Sequence, residues 1–317
     1  MKKKRLGRSS LEIAPLCFGG NVLGWTADEK RSFELLDAFV GAGFNLIDTA
    51  NTYSRWVPGN VGGESETIIG RWMKARGNRD KVIVATKLGQ NMGEGQIGLS
   101  RKYMQTAVEE SLRRLQTDHI DLYQAHDDDP NTPMEETLRS FADLIAAGKV
   151  RAIGASNFTA ERLKEALQTS AALGVPRYES LQPIHNLYDR SFFEAGLSEL
   201  VQAEEVGVIN YYALAQGFLS GKYRTADDHA GKVRTSRVGP RYMNERGMRI
   251  LEAMDAVAAE TGHTHAQIAL AWVIGRPGIT AAIVSATEVS QFEELAGAID
   301  VKLDAGSLAT LETASDA

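Results

Sequence analysis

The feature that most constrains the fold of this 317-residue chain is a beat of strand, loop and helix, repeated eight times. Short apolar runs at 16–19, 44–48, 81–87, 119–126, 150–156, 178–182, 208–212 and 281–285 have strand length. Between them apolar residues recur at helical spacing: Phe33, Leu36 and Val40 within 28–40, Ile68, Ile69, Trp72 and Met73 within 64–76, Val108, Leu112 and Leu115 within 100–115. Further helices are expected over 133–147, 159–173, 191–205, 248–260, 264–274 and 288–299, with a short one in 304–317. The punctuation agrees: Ser100 is placed as an N-cap, Pro133 opens a helix, Gly148 and Gly174 end two, and Thr264 with Gln267 has the spacing of a capping box. The segment 213–246 has no such periodicity and reads as a long loop.

Strands that alternate with helices pair in parallel. Eight units in this length fit a closed barrel. The expectation is an α/β fold, a (β/α)8 TIM barrel filling one domain over residues 1–317, with extra helices near its C-terminus. Residues 3–15, folded about Gly7-Arg8-Ser9-Ser10 and closed by Pro15, form a β-hairpin before it. An open doubly wound sheet would carry G-x-G-x-x-G after its first strand, and that pattern is absent. The run from Gly217 to Lys222 is one residue short of a P-loop and continues with Tyr223 where Ser or Thr is needed.

Composition excludes some partners. A net charge of −6 argues against nucleic acid or an anionic membrane surface. No window approaches the ~18 apolar residues that span a bilayer. The basic N-terminus is followed by no apolar stretch and is not a signal peptide. The single cysteine, Cys17, cannot form a disulfide within the chain and sits in an apolar run, so a buried inert thiol is expected, with a redox role the alternative. These features point to a soluble cytoplasmic protein that acts on a small molecule.

Barrel sites are built at the C-terminal ends of strands. There the sequence places Asp48, Lys87 and His126 on three consecutive strands, and Tyr53 one loop beyond Asp48. Each alone has an ordinary explanation: a turn cap, a snorkelling lysine, a satisfied histidine. Together they form a proton-transfer set. A cation near a phenol favours phenolate and lowers its pKa, so Lys87 is expected to bring Tyr53 below its ordinary ~10. Asp48 fixes the lysine, and His126 orients a carbonyl oxygen. No residue here is set up as a nucleophile, so hydride addition to a carbonyl, with Tyr53 delivering the proton, fits best and requires a nicotinamide or flavin. The acidic run Asp127-Asp128-Asp129 suggests a metal site, but adjacent strand-end side chains point apart, and no metal is expected. Trp25 and Trp56, with Tyr53 and His126, are expected to line the substrate pocket.

The order and spacing of these residues resemble the aldo-keto reductases over essentially the whole chain, and within them the bacterial long-chain branch. The motifs carrying the likeness are Gly19-Gly20-Asn21, Asp48-Thr49-Ala50-Asn51-Thr52-Tyr53, Thr86-Lys87, His126, Gly154-Ala155-Ser156-Asn157-Phe158, Leu181-Gln182 and Leu214-Ala215-Gln216-Gly217. The resemblance implies a catalytic tetrad of Asp48, Tyr53, Lys87 and His126. It implies cofactor contacts from Gly20, Asn21 and Asp48, and a nicotinamide amide held by Ser156, Asn157 and Gln182 with Tyr211 stacked on the ring. Leu214, Gln216, Gly217, Leu219, Lys222 and Arg237 would follow the pyrophosphate, and Ala286, Thr287, Gln291 and Glu294 would face the adenosine. Ser54, Tyr212-Ala213, Ser285 and Leu295 depart from the family's usual residues. Thr287 and Gln291 stand where basic residues often pair with a 2′-phosphate. The resemblance implies NADP(H), with NAD(H) the alternative. Two other readings remain open: an NAD(P)-dependent aldose or alcohol dehydrogenase, and a cofactor-binding sensor or regulatory subunit such as the barrel subunits of potassium channels.

Overall fold

The computed structural model describes residues 1–225, 228 and 235–316, without the side chains of 235–237. Its centre is a closed parallel barrel of eight strands: β3 (Leu16–Gly19), β4 (Leu46–Asp48), β5 (Ile83–Leu88), β6 (Ile120–Ala125), β7 (Val150–Ser156), β8 (Tyr178–Gln182), β9 (Gly207–Asn210) and β10 (Ile279–Val284). Each pairs with its neighbour in sequence, and β10 closes the ring on β3. Ahead of the barrel, β1 (Lys4–Arg5) and β2 (Glu12–Ile13) form an antiparallel hairpin. The expected α/β barrel with its N-terminal hairpin is therefore present.

The sheet separates two apolar cores. Inside the barrel, Cys17, Leu46, Ala85, Leu122, Ala152, Ile209 and Ala281 meet Leu6, Leu11 and Ile13 of the hairpin segment, which plugs one end. Outside, a larger cluster fills the space beneath α1 (Glu29–Gly41), α2 (Glu64–Arg76), α3 (Arg101–Leu115), α4 (Met134–Ala146) and α5 (Ala160–Leu173). Because side chains alternate across a strand, the inward column runs on in steps of two from that plug layer. It reaches Gly19, Asp48, Lys87, His126, Ser156, Gln182, Tyr211 and Ser285 at the far rim. The polar residues at the strand ends thus share one layer because of the period of the strand.

Local differences from the expected elements have local causes. The helix expected over 191–205 is two, α6 (Ser191–Glu194) and α7 (Leu197–Ala203), broken where Gly196 takes φ 95°. The strand expected over 208–212 ends at Asn210, and Tyr211 makes only an isolated bridge to Ile184. The segment read as loop contains a 3-10 stretch, Ala215–Ser220, and α8 (Thr235–Tyr242). Ser100 makes no side-chain cap. The capping box at Thr264 and Gln267 does form, at the start of α10 (His265–Ile274), which follows α9 (Glu245–Thr261). The chain closes with α11 (Val289–Ala296) and α12 (Ala305–Ser315). No helix among the described residues is long and apolar enough to cross a membrane.

Candidate active site

At the rim, Lys87 is fully buried and its ammonium is shared among three oxygens. Nζ donates to Asp48 Oδ2 at 2.7 Å, to the Thr49 carbonyl at 2.8 Å and to Tyr53 Oη at 2.9 Å. Tyr53 Oη in turn donates to Asp48 Oδ2 at 3.2 Å. The other Asp48 oxygen accepts from Gln182 Nε2 at 2.9 Å, across the barrel. The end of β5, the loop after β4 and the end of β8 are therefore tied to one carboxylate. The turn that returns Tyr53 over Lys87 is held by Ser54, which is buried in a left-handed conformation (φ 69°) and donates to the Leu23 carbonyl at 2.7 Å.

Electrostatics at the phenol differ from the expectation of a lowered pKa. Burial, and then the Asp48 carboxylate, push the Tyr53 pKa well above its ordinary value, and burial pulls the Lys87 ammonium down. The phenol therefore keeps its proton in the resting site. The ammonium is already matched by Asp48, so its attraction becomes available when a phenolate forms beside it.

His126 lies just past β6, with its ring centroid 6.1 Å from that of Tyr53. Burial and the Lys87 charge hold its pKa well below the ordinary imidazole value, so the ring is neutral. Its Nδ1 is buried without a hydrogen-bond partner among the described residues. A neutral imidazole carries one N–H donor, the group needed to hold a carbonyl oxygen.

The residues assigned to the nicotinamide face form a linked set. Ser156 Oγ donates to the Gln182 carbonyl at 2.9 Å. Asn157 has φ 59°, donates from Nδ2 to the His126 carbonyl at 3.0 Å, and accepts at Oδ1 from Tyr211 Oη at 2.8 Å. Gln182 Oε1 makes no hydrogen bond among the described residues, which leaves an acceptor for a carboxamide N–H. The donor and acceptor set fits a nicotinamide amide. Around the rim, Asn21 Oδ1 accepts from Ser285 Oγ at 2.7 Å. A Cβ on Gly20 would lie 2.8 Å from the Asp48 carbonyl, so only glycine permits that approach. Leu214 precedes a run in which Ala215, Gln216 and Gly217 all take positive φ. Leu219 is fully buried in the core. Lys222 Nζ sits over the Tyr223 ring. The Arg237 side chain lies outside the described residues. Ala286 is buried, and the Thr287 amide donates to Gln291 Oε1 at 2.9 Å. The Glu294 carbonyl accepts from Gln267.

A cavity of about 780 Å³ opens between the loops after β4, β5 and β6; of Trp25, Tyr53, Trp56 and His126, only Trp56 lines it. Its wall includes Thr52, Arg55, Trp56, Gln90, Asp127 and Asn131. Trp56 lies edge-on to Tyr53, and Trp25 packs edge-on behind Trp56 at 5.6 Å. The acidic run disperses: Asp128 pairs with Arg162 at 2.7 Å, Asp129 accepts from Thr132 and the Leu99 amide, and Asp127 accepts from two side-chain amides. No group of three or more His, Cys, Asp or Glu among the described residues is arranged to hold a metal.

The family model described as "Aldo/keto reductase family" matches residues 15–316. The chain belongs to the aldo/keto reductase family. It is 33% identical to "Protein tas" of Escherichia coli over 337 residues, covering 98% of this chain and 97% of that protein. It is 34% identical to the "Uncharacterized oxidoreductase YrpG" of Bacillus subtilis, covering 96% and 93%. It is 30% identical to the L-glyceraldehyde 3-phosphate reductase of Escherichia coli, covering 93% and 86%. This aldo/keto reductase is an oxidoreductase that acts on carbonyl groups. Members of the family generally use NAD(P)H.

Reading the sequence of this reductase alone missed Gln90 and Arg31. Gln90 sits in a glycine-rich loop with no periodic signal. Arg31, on α1, reaches Glu288 at 2.9 Å, next in sequence to Thr287, and Glu34 at 3.2 Å.

Proposed function

We propose that this chain acts as one barrel domain, a cytoplasmic NAD(P)(H)-dependent reductase of an aldehyde, ketone or sugar, with Tyr53 as the proton donor. The single observation that carries the reading is the shared, buried Lys87 ammonium, bonded to both Asp48 and the Tyr53 oxygen. The bound nicotinamide supplies the hydride. The neutral His126 holds the carbonyl oxygen at the rim. Tyr53 passes its proton to that oxygen as negative charge develops there, and the phenolate it becomes rests against Lys87 Nζ. Asp48 keeps Lys87 in place through the transfer. Ser156, Asn157 and Gln182 orient the carboxamide, and Tyr211 supports the ring. In the oxidative direction the same groups run the transfer backwards.

The preference for NADP(H) rests on the family resemblance; the nearby cation Arg31 is already paired with Glu288 at 2.9 Å and Glu34 at 3.2 Å. Quenching of tryptophan fluorescence by NADPH and NADH tests that preference, and tighter NADH binding would reverse it. For the mechanism, Tyr53→Phe is expected to lose most turnover while binding cofactor as the parent does. Near-parental rates would remove Tyr53 from the reaction.

A further inference from the structure

One carboxylate at the rim stands apart from the tetrad and touches both halves of the site. Asp127 Oδ1 accepts from Asn157 Nδ2 at 2.9 Å, on the cofactor side. Its Oδ2 accepts from Gln90 Nε2 at 2.8 Å, on the wall of the cavity. No Lys, Arg or His side chain among the described residues forms an ion pair with it. The chain of contacts continues at both ends: Tyr211 Oη donates to Asn157 Oδ1 at 2.8 Å, and Thr52 Oγ1 donates to Gln90 Oε1 at 3.3 Å.

An amide side chain has a donor end and an acceptor end, and its neighbours decide which way it faces. An ionised carboxylate only accepts. Two amide NH2 groups that converge on one carboxylate therefore both face inward, and both carbonyl ends face away from it. We propose that Asp127 is a positioning residue that sets the amide polarity of Gln90 on the substrate side and secures that of Asn157 on the cofactor side. This assignment rests on the function proposed above. It deepens that reading by naming what the cavity wall offers: an acceptor, Gln90 Oε1, suited to a carbonyl substrate that carries a hydroxyl group.

The two amides do not depend on Asp127 equally. Asn157 Nδ2 has a second acceptor, the His126 carbonyl, and turning the amide over would set two oxygens against each other there. Among the described residues Gln90 Nε2 has only Asp127. In Asp127→Asn the one remaining oxygen goes to Asn157 and the new NH2 faces Gln90, which turns over and presents a donor to the cavity. Asp127→Leu removes both contacts, leaving Gln90 held only by Thr52 and Asn157 Nδ2 with one acceptor.

The test uses purified full-length protein and three measurements: fluorescence titration with NADPH and NADH, the same titration with ADP-ribose, which lacks nicotinamide, and KM for glyceraldehyde against propanal. In Asp127→Asn the dinucleotide Kd stays within about twofold while the glyceraldehyde-to-propanal KM ratio rises about tenfold, the scale of one neutral hydrogen bond. In Asp127→Leu the dinucleotide Kd also rises, and binding of ADP-ribose does not change. A purely structural role would move glyceraldehyde and propanal together, and whole cofactor and fragment together; either of those results, or an unchanged KM ratio in the isosteric Asn variant, overturns the assignment. If the parent protein binds neither NADPH nor NADH, the proposed function itself falls and this inference with it.

Discussion

Replacing Lys87 by Met tests the central electrostatic argument most directly. The side chain is fully buried, so water cannot take the place of its charge. When Tyr53 gives up its proton, the phenolate oxygen stands 2.9 Å from Nζ. With an effective dielectric of about 20, that contact is worth ~6 kcal/mol, or about four powers of ten in rate. Methionine has a similar reach and no charge. The expected result is a fall in kcat of about 10³–10⁴, with cofactor affinity retained because Lys87 faces the phenol. The variant also strands Asp48, and a buried carboxylate that loses its cation costs ~3–5 kcal/mol of stability. Adding Asp48→Asn removes the stranded charge, so the double variant should regain much of that stability and none of the turnover. The assay is the loss of nicotinamide absorbance with a simple aldehyde, read beside a thermal melt. A fall in kcat of less than about tenfold in a folded Lys87→Met protein would refute the reasoning. So would a double variant that regains activity along with its stability.

Other expectations follow from neighbouring features. His185 is buried among Phe193 and Trp272, with neither ring nitrogen hydrogen-bonded among the described residues, and burial and Arg190 lower its pKa from 6.5 to about 4. The folded value is depressed, so the unfolded chain binds the proton first. Stability conferred by the neutral ring is complete above about pH 6.5 and is lost as the pH falls toward 4, up to about 3 kcal/mol. Denaturant midpoints between pH 7 and 4 should flatten in His185→Phe; an unchanged slope would count against the account. His126 is also held neutral, so kcat should not follow an imidazole titration near pH 6.5, and a kcat step there that disappears in a His126 variant would contradict the placement. Glu66, fully buried, accepts from Arg114 Nε at 2.6 Å and from Thr86 Oγ1 at 2.5 Å. Arg114→Met should therefore destabilise by ~3–5 kcal/mol, read as a lowered midpoint, whereas an exposed pair such as Arg8–Glu205 should cost under ~1 kcal/mol when broken.

Much of this protein is legible along the chain because strands and helices impose their own periods. The beat of apolar runs predicts the barrel, and the two-residue repeat carries the inward column from Leu46 to Asp48 and from Ala85 to Lys87. The capping box at Thr264 is equally local, since its partners lie three residues apart. Element ends were less legible. Whether residues 191–205 make one helix or two turned on Gly196, which takes φ 95° between α6 and α7.

What only the tertiary structure decided is charge and polarity at the rim. The sequence puts a lysine near a tyrosine and suggests a lowered phenol pKa; folding buries the lysine, half-buries the tyrosine and adds Asp48, and desolvation reverses the direction. The sequence sets three aspartates in a row without distinguishing them. The loops divide them among Arg162, backbone amides and the two side-chain amides of Gln90 and Asn157, which lie 37 and 30 residues from Asp127. Strand periodicity fixes which residues reach the rim, because it acts over two or three positions. The electric field and hydrogen bonding they find there come from burial and from distant loops, which no local pattern encodes.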